Sequence, residues 1–255
     1  MTALRLSAAS FALASCALAT AARAADAPTD VDVSRITLSL PGSGWTVSGK
    51  LPYALAMQDS AKSIDGERRL LSIGQPGTAS SMVMLVSATR GHGGATVQAD
   101  CDPDARLYVH KYNTGISTYI PLQCLRVQGP VRMPADLSVF GEPFAAALSS
   151  QHAAVPPEGY VVALTVSNNN GAIVEVVALV GRQFVGLDAR AAVDGRPSSM
   201  PEGVAAWGDK LGEEALGTLS SWSGRMTLPP VAFRPPVVPP QPLNTAQAAA
   251  TATKD

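Results

Sequence analysis

The chain has 255 residues, 19 Lys and Arg against 20 Asp and Glu, and a formal net charge of −1. Because there is no basic excess, we expect no binding to nucleic acid and no electrostatic attraction to an anionic lipid surface. Past the N-terminal region no run of about 18 apolar residues predicts a membrane span, and the length suits one sizeable hydrophobic core.

The first 24 residues have the pattern of a secretory signal peptide, with Arg5, an apolar Ala/Leu/Phe run and small residues ending at Ala24. We therefore expect cleavage between Ala24 and Ala25, and a periplasmic or secreted protein. A lipobox is the alternative, since residues 13–16 (LASC) fit the site at which bacterial lipoproteins are cut and acylated. The apolar run continues past Cys16, so acylation of Cys16 and a membrane anchor remain the less favoured interpretation.

After cleavage the chain keeps two cysteines, Cys101 and Cys124. An even cysteine count in an exported protein predicts a disulfide bond. Two free thiols or half of a metal site are the alternatives, but the CxxC spacing of zinc and redox sites is missing. The two residues would also lie on opposite arms of one predicted hairpin, which is consistent with a bond between them.

Alternating apolar residues and intervening turn signals predict a series of strands. They cover residues 36–40, 45–47, 68–73, 81–89, 107–112, 117–127, 160–167 and 172–180. The last two flank residues 168–171 (NNNG), which is a strong hairpin signal because Asn and Gly adopt positive φ easily. Both arms of this hairpin are apolar on successive residues, so we expect both faces of the sheet to be covered.

Two segments, 143–153 and 201–222, have the apolar spacing of helices that could cover the sheet. In the second, apolar residues recur at an average spacing of about 3.6, the α-helical period. Four glycines also lie in it, although glycine weakens a helix. We interpret them as positions where the helix approaches the sheet closely: Gly203, Gly208, Gly212 and Gly217.

The composition divides the chain into four parts. We expect a signal peptide over residues 1–24, a flexible segment over 25–33, one α+β globular domain over 34–227 and a disordered proline-rich tail over 228–255. Seven prolines fall between positions 229 and 242. Proline removes amide donors and favours extended polyproline conformation, so the tail is a solvated spacer or a ligand for a groove-type partner.

Local catalytic motifs are missing from the sequence. The GxSxG, SxxK, HExxH and Walker patterns do not occur, which favours a non-catalytic role although a site built from distant residues is not thereby removed. Asp100, Asp102 and Asp104 alternate as in a calcium loop, but Ala105 stands where that loop needs Gly and Lys111 where it needs Glu. We predict a solvated acidic turn, with no catalytic, metal-binding or cofactor-binding residues.

The three histidines, His92, His110 and His152, lack the spacing of a metal site. His110 alternates with Tyr108 and Tyr112, so these three side chains could form a partly polar binding surface on one strand face. If the protein were instead a hydrolase with a non-local site, His110 or His152 should meet a carboxylate and a hydroxyl in a deep pocket.

The segment ITLSLPGSGW at residues 36–45, the antiparallel strands after it and the closing amphipathic helix resemble the Mog1/PsbP-like modules of exported bacterial proteins. The resemblance covers about residues 34–224 in element order and transfers no functional residue. It implies a curved antiparallel sheet packed between helices, in proteins that are generally accessory or binding proteins rather than enzymes.

Together these observations predict an exported, non-catalytic accessory or binding protein of the bacterial cell envelope. Its partner would be an unknown envelope protein or a small ligand. In one interpretation the proline-rich tail binds the partner. The alternatives are an exported hydrolase with a non-local catalytic site and a lipoprotein acylated at Cys16.

Overall fold

A computed structural model describes residues 29–56, 63–74, 79–89, 101, 108–111, 123–133, 135, 142–152, 154–168, 172–184, 192–193, 196–197, 201–221 and 223–232. The predicted signal peptide, with its cleavage site at Ala24 and Ala25 and with Cys16, lies outside the described residues. So does the proline-rich tail beyond residue 232.

The described chain is mostly strand, with two helices. The elements are β1 (Thr29–Val33), β2 (Ile36–Leu40), β3 (Trp45–Val47), β4 (Leu51–Ala56), β5 (Ser63–Ile73), β6 (Met82–Thr89), β7 (Tyr108–Lys111), β8 (Gln123–Arg132), α1 (Glu142–Ser150), β9 (Glu158–Ser167), β10 (Ile173–Gly181), β11 (Ala192–Val193), β12 (Arg196–Pro197), α2 (Glu202–Ser220) and β13 (Arg225–Thr227).

An eight-stranded antiparallel sheet forms the middle of a single α+β domain. Its order is β3-β5-β6-β10-β9-β8-β7, and β4 pairs with β5 beside β3. The predicted hairpin is confirmed: β9 and β10 pair antiparallel from Ile173 opposite Ser167 to Gly181 opposite Gly159. A second, three-stranded sheet has the order β1-β2-β13, in which β13 runs parallel to β2.

Both faces of the large sheet carry apolar side chains, as the successive apolar residues of the central strands predict. On one face, even-numbered residues of β10 such as Val174 and Val176 share a core with α2 and the three-stranded sheet. On the other, Leu179 shares a core with Phe144 and Leu148 of α1. The fold is therefore layered, with α1 on one side of the large sheet and α2 with the small sheet on the other.

Helix α2 approaches the sheet closely at Gly208, as predicted. A Cβ atom there would lie 3.1 Å from both terminal methyl groups of Leu125 on β8. Gly217 does not fit this explanation, because it is exposed and a Cβ atom there would meet nothing within 4 Å. The helix ends at Ser220, and Trp222, the last residue of the predicted segment, lies outside the described residues.

The residues that the structure describes extend beyond the predicted bounds of the domain at both ends. Strand β1 starts at Thr29, within the segment expected to be flexible, and its Val33 is fully buried. At the other end, Leu228 is fully buried and the Trp207 indole donates a hydrogen bond to the carbonyl of Pro229 at 3.2 Å. The first residues assigned to the tail therefore pack against the core.

The sulfur atoms of Cys101 and Cys124 lie 2.08 Å apart, which is consistent with the predicted disulfide. Strands β7 and β8 form the expected antiparallel pair, with Lys111 opposite Cys124. The second arm, however, is described from Gln123 to Arg132 rather than over 117–127, and residues 112–122 lie outside the described residues. None of the helices that the structure describes is long and apolar enough to cross a membrane.

The two α2 glycines provide a matched pair of substitutions. Gly217→Ala should raise the free energy of unfolding by up to about 1 kcal/mol, because alanine is the better helix former and the added methyl group meets open space. Gly208→Ala should be less stable than Gly217→Ala by about 1–2 kcal/mol, because the buried Leu125 must move. Urea unfolding measures both values, and equal stability of the two variants would contradict close packing at Gly208.

Candidate functional site

A row of polar side chains crosses the α1 side of the large sheet. The strand register places Arg68 opposite Ser87, Ser87 opposite Glu175, and Glu175 opposite Thr165. Thr165 in turn lies opposite Cys124. Residues directly opposite one another on neighbouring strands project from the same face, so five strands contribute to one row.

Tyr53 reaches this row from β4. It lies opposite Gly66 of β5, and a Cβ atom on Gly66 would lie only 3.0 Å from the Cδ1 atom of the Tyr53 ring. Glycine at this position therefore leaves room for the ring. The side chain of Tyr53 is buried, with 7% of its surface exposed.

The Tyr53 side chain contacts both charged residues of the row. Its hydroxyl donates a hydrogen bond to Oε2 of Glu175 at 2.5 Å, and the guanidinium carbon of Arg68 lies 4.3 Å from the centre of its ring. The second contact is a cation–π interaction. Burial raises the pKa of Tyr53 above its usual value, and the negative charge of Glu175 raises it further. The hydroxyl therefore stays protonated and acts as a donor.

Arg68 is only partly satisfied by these contacts. Its Nε atom is buried and has no hydrogen-bond partner in the part of the chain that the structure describes. The ion pairs among the described residues do not join Arg68 to Glu175. A buried donor without an acceptor is rare in folded proteins and costs about 1–3 kcal/mol, so this atom calls for an explanation.

These residues line a cavity of about 340 Å³. This volume lies at the small end of the range of about 300–1,000 Å³ for ligand pockets. Part of the wall is apolar, and α1 contributes to it. The polar lining consists of Tyr53, Arg68, Ser87, Thr165 and Glu175, and the apolar lining includes Leu85, Phe144, Ala163 and Val177.

A second cleft, of about 370 Å³, lies at the C-terminal end of α2 beside β2. Here two of the polar side chains are already engaged within the protein. The Thr218 hydroxyl lies 2.7 and 2.9 Å from two backbone carbonyl oxygens, which share its one hydrogen, and Asn168 donates its amide to the carbonyl of Leu219 at 3.0 Å. We therefore regard the cavity beside Tyr53 as the better candidate for a ligand site.

The predicted polar surface on β7 is linked to α2 through Asp209. Tyr108 donates its hydroxyl to Oδ2 of Asp209 at 2.5 Å, and Nδ1 of His110 lies 2.7 Å from Oδ1. Burial raises the pKa of Tyr108, and the hydrogen bond to Asp209 raises it further. The carboxylate of Asp209 therefore connects the Tyr108 hydroxyl and the His110 imidazole.

Of the remaining polar candidate residues, His152 lies within the described part of the chain. His152 is exposed, just past the end of α1, with a positive φ of 48°. His92, Tyr112 and the acidic residues Asp100, Asp102 and Asp104 lie outside the described residues. Within the described ranges, no three His, Cys, Asp or Glu side chains are grouped so that they could hold a metal ion.

The sequence did not predict any of the pocket residues as part of a binding site. Strand β4, which supplies Tyr53, contains Pro52, and proline argues against a central strand. The available signal was Glu175, a single charged residue in the otherwise apolar segment 172–180. A charge in a strand covered on both faces needs a partner, and its partner Tyr53 lies 122 residues away.

Scans of protein-family models, curated proteins and solved structures find no match to this chain.

The raised pKa values of Tyr53 and Tyr108 predict a delayed titration at alkaline pH. Of the five tyrosines, these two should ionise only well above the usual pKa of 10.0, and Tyr53→Phe or Tyr108→Phe should each remove one late-titrating group. Phenolate absorbance measured against pH tests this. Ionisation of all five tyrosines together near pH 10 would contradict the burial of both hydroxyls.

The same shifts predict the direction of a stability change. Below pH 10.0 both tyrosines are protonated in the folded and the unfolded chain, so their contribution to stability is fully present. Above that pH the unfolded chain loses these protons first, so the free energy of unfolding should fall as the pH rises. Each Tyr→Phe variant should lessen this fall.

Proposed function

We propose that this chain is an exported binding protein of the bacterial cell envelope, and that the cavity beside Tyr53 is its ligand site. The observation that carries the proposal is a cavity lined by both Arg68 and Glu175, with the side chain of Tyr53 in contact with each of them. Ligand pockets are typically apolar with a few converging polar groups, and this cavity has that composition.

The chemistry of the pocket favours binding over catalysis. A tyrosine acts as a nucleophile or base through its phenolate, and the raised pKa of Tyr53 disfavours that form. An arginine keeps its charge at any ordinary pH, so Arg68 is suited to hold an anion rather than to transfer a proton. Glu175 is engaged by the Tyr53 hydroxyl.

Two features of the sequence support the cellular part of the proposal. The first 24 residues have the pattern of a signal peptide, and the order of the predicted elements along the sequence resembles that of Mog1/PsbP-like modules, whose members are generally accessory or binding proteins. Export would also place Cys101 and Cys124 in an oxidising compartment, where a disulfide bond persists. Lipid anchoring through Cys16 is the competing form of the same proposal.

The intact mass of the mature protein distinguishes the two forms. Expressed with its full N-terminus in a bacterial host, the chain should yield a protein that begins at Ala25 and carries no lipid. A diacylated or triacylated protein beginning at Cys16 would show that the envelope protein is membrane-anchored. Retention of residues 1–24 in the cytoplasm would contradict export itself.

A thermal-shift screen of the mature chain tests the ligand site. The panel should contain organic acids, amines, amino acids, sugars and nucleotides, because a compound that binds only the folded state raises the melting temperature. We expect at least one class to stabilise the wild type and Arg182→Met but not Arg68→Met. Arg182 is the matched control, since it is an exposed arginine paired with Glu158 at 2.7 Å.

If no compound shifts the melting temperature, or if Arg68→Met responds as the wild type does, the cavity is not the ligand site. The hydrolase alternative is tested in parallel, because His110 does meet a carboxylate, that of Asp209. Hydrolysis of an ester, glycoside, peptide or phosphate that Asp209→Asn abolishes would favour an enzyme over a binding protein.

A further inference from the structure

We propose that the ligand of the cavity is a free α-amino acid with an apolar side chain, held as a zwitterion between Arg68 and Glu175. Its carboxylate would accept hydrogen bonds from the Arg68 guanidinium, and its ammonium group would donate to the Glu175 carboxylate. Its side chain would lie against the apolar wall that includes Phe144 of α1. This inference rests on the proposed function, since it names the ligand class of the same pocket.

The first step of the argument is the separation of the two charges. Arg68 and Glu175 lie on strands two apart in the sheet, with the small side chain of Ser87 between them in the same row. Neighbouring strands are about 4.8 Å apart, so their backbones are roughly 10 Å apart. The side chains therefore face a common space without forming an ion pair, and a ligand with both charges could bridge them.

The second step is the chemistry of the two charged side chains. Arg68 lines the cavity, and a guanidinium group binds a carboxylate through two parallel hydrogen bonds. Glu175 uses Oε2 to accept the Tyr53 hydroxyl, and its other oxygen, Oε1, is the one that would accept from an ammonium group. One cationic donor and one anionic acceptor at the same cavity match the two ends of a zwitterion.

The third step is the exclusion of ligands with a single charge. A simple carboxylate would satisfy Arg68 but would bring its negative charge towards Glu175. A simple amine would satisfy Glu175 but would bring its positive charge towards Arg68. Like charges held close together in a partly buried site repel strongly. An α-amino acid adds no net charge to the pocket, and its two charged groups are carried by the same carbon atom.

The fourth step concerns the side chain of the ligand. The wall of the cavity formed by Leu85, Phe144 and Val177 offers an apolar surface next to the polar row. The cavity of about 340 Å³ is near the lower limit for ligand pockets, which favours a small molecule over a long chain. A leucine or phenylalanine side chain fits this wall better than a charged one does.

Isothermal titration of the mature chain with four probes tests the inference. L-leucine and L-phenylalanine should bind, while N-acetyl-L-leucine, which lacks the ammonium group, and L-leucinamide, which lacks the carboxylate, should bind at least tenfold more weakly. These comparisons use the wild-type protein, so they do not depend on the folding of any variant. Equal affinity for L-leucine and either derivative would overturn the proposal.

Two variants assign each end of the ligand to one residue. Arg68→Met should weaken the binding of L-leucine at least tenfold. It should also remove the difference in affinity between L-leucine and L-leucinamide. Glu175→Gln should weaken the binding of L-leucine and remove the difference in affinity between L-leucine and N-acetyl-L-leucine. Arg182→Met and Glu213→Gln are the matched controls on exposed side chains, and both should bind as the wild type does.

The outcomes separate this inference from the proposed function. Suppose that none of the apolar amino acids binds, but another class of compound stabilises the protein in an Arg68-dependent manner. The proposed zwitterionic ligand is then wrong, and the proposed binding site is retained. If no compound of any class depends on Arg68, both proposals fall.

Discussion

The constraint on which the structure depends is that the central strands of the large sheet are apolar on both faces. Strand β10 buries Val174 and Val176 on one face and Leu179 on the other. A sheet of this kind is stable only when both faces are removed from water. The α2 layer and the small sheet cover one face, and α1 covers part of the other.

The position of the pocket follows from the size of α1. A helix of nine residues is about 13 Å long, whereas the sheet extends for roughly 30 Å across its strands. Helix α1 therefore packs over the apolar end of its face, where Phe144 and Leu148 meet Leu179. The polar row of Arg68, Ser87 and Glu175 lies on the same face at the edge of this contact, and the cavity forms there.

The parts of the fold that could be predicted from the sequence are those whose signal is local. The β9–β10 hairpin follows from two apolar runs and an Asn-rich turn, and α2 follows from its 3.6-residue spacing. Strand β4 was not predicted because Pro52 interrupts its pattern. The part of β5 before Arg68 was not predicted because its charged residues interrupt the apolar pattern. Alternation of residue type is a weak signal wherever a strand lies at an edge or carries charge.

The candidate site could not be predicted for a different reason. Its residues come from β4, β5, β6, β9 and β10, and they meet because the strand register brings them into one row. Register depends on the pairing of whole strands, and a shift of one residue would move Glu175 to the opposite face. What the sequence offered was one charged residue in an apolar strand, which indicates that a partner exists but not which residue it is.

The protein uses the same interaction, a partly buried tyrosine hydroxyl donating to a carboxylate, on both sides of its large sheet. Tyr108 and His110 converge on Asp209 and so join β7 to α2, which makes this contact a link between layers. The Tyr53 contact with Glu175 joins two strands and also holds Arg68 stacked on the ring. Cross-linking the sheet would need only the tyrosine and the carboxylate. The added arginine at the wall of a cavity is what distinguishes the Tyr53 pocket from a structural contact, and it is therefore the feature that a ligand would explain.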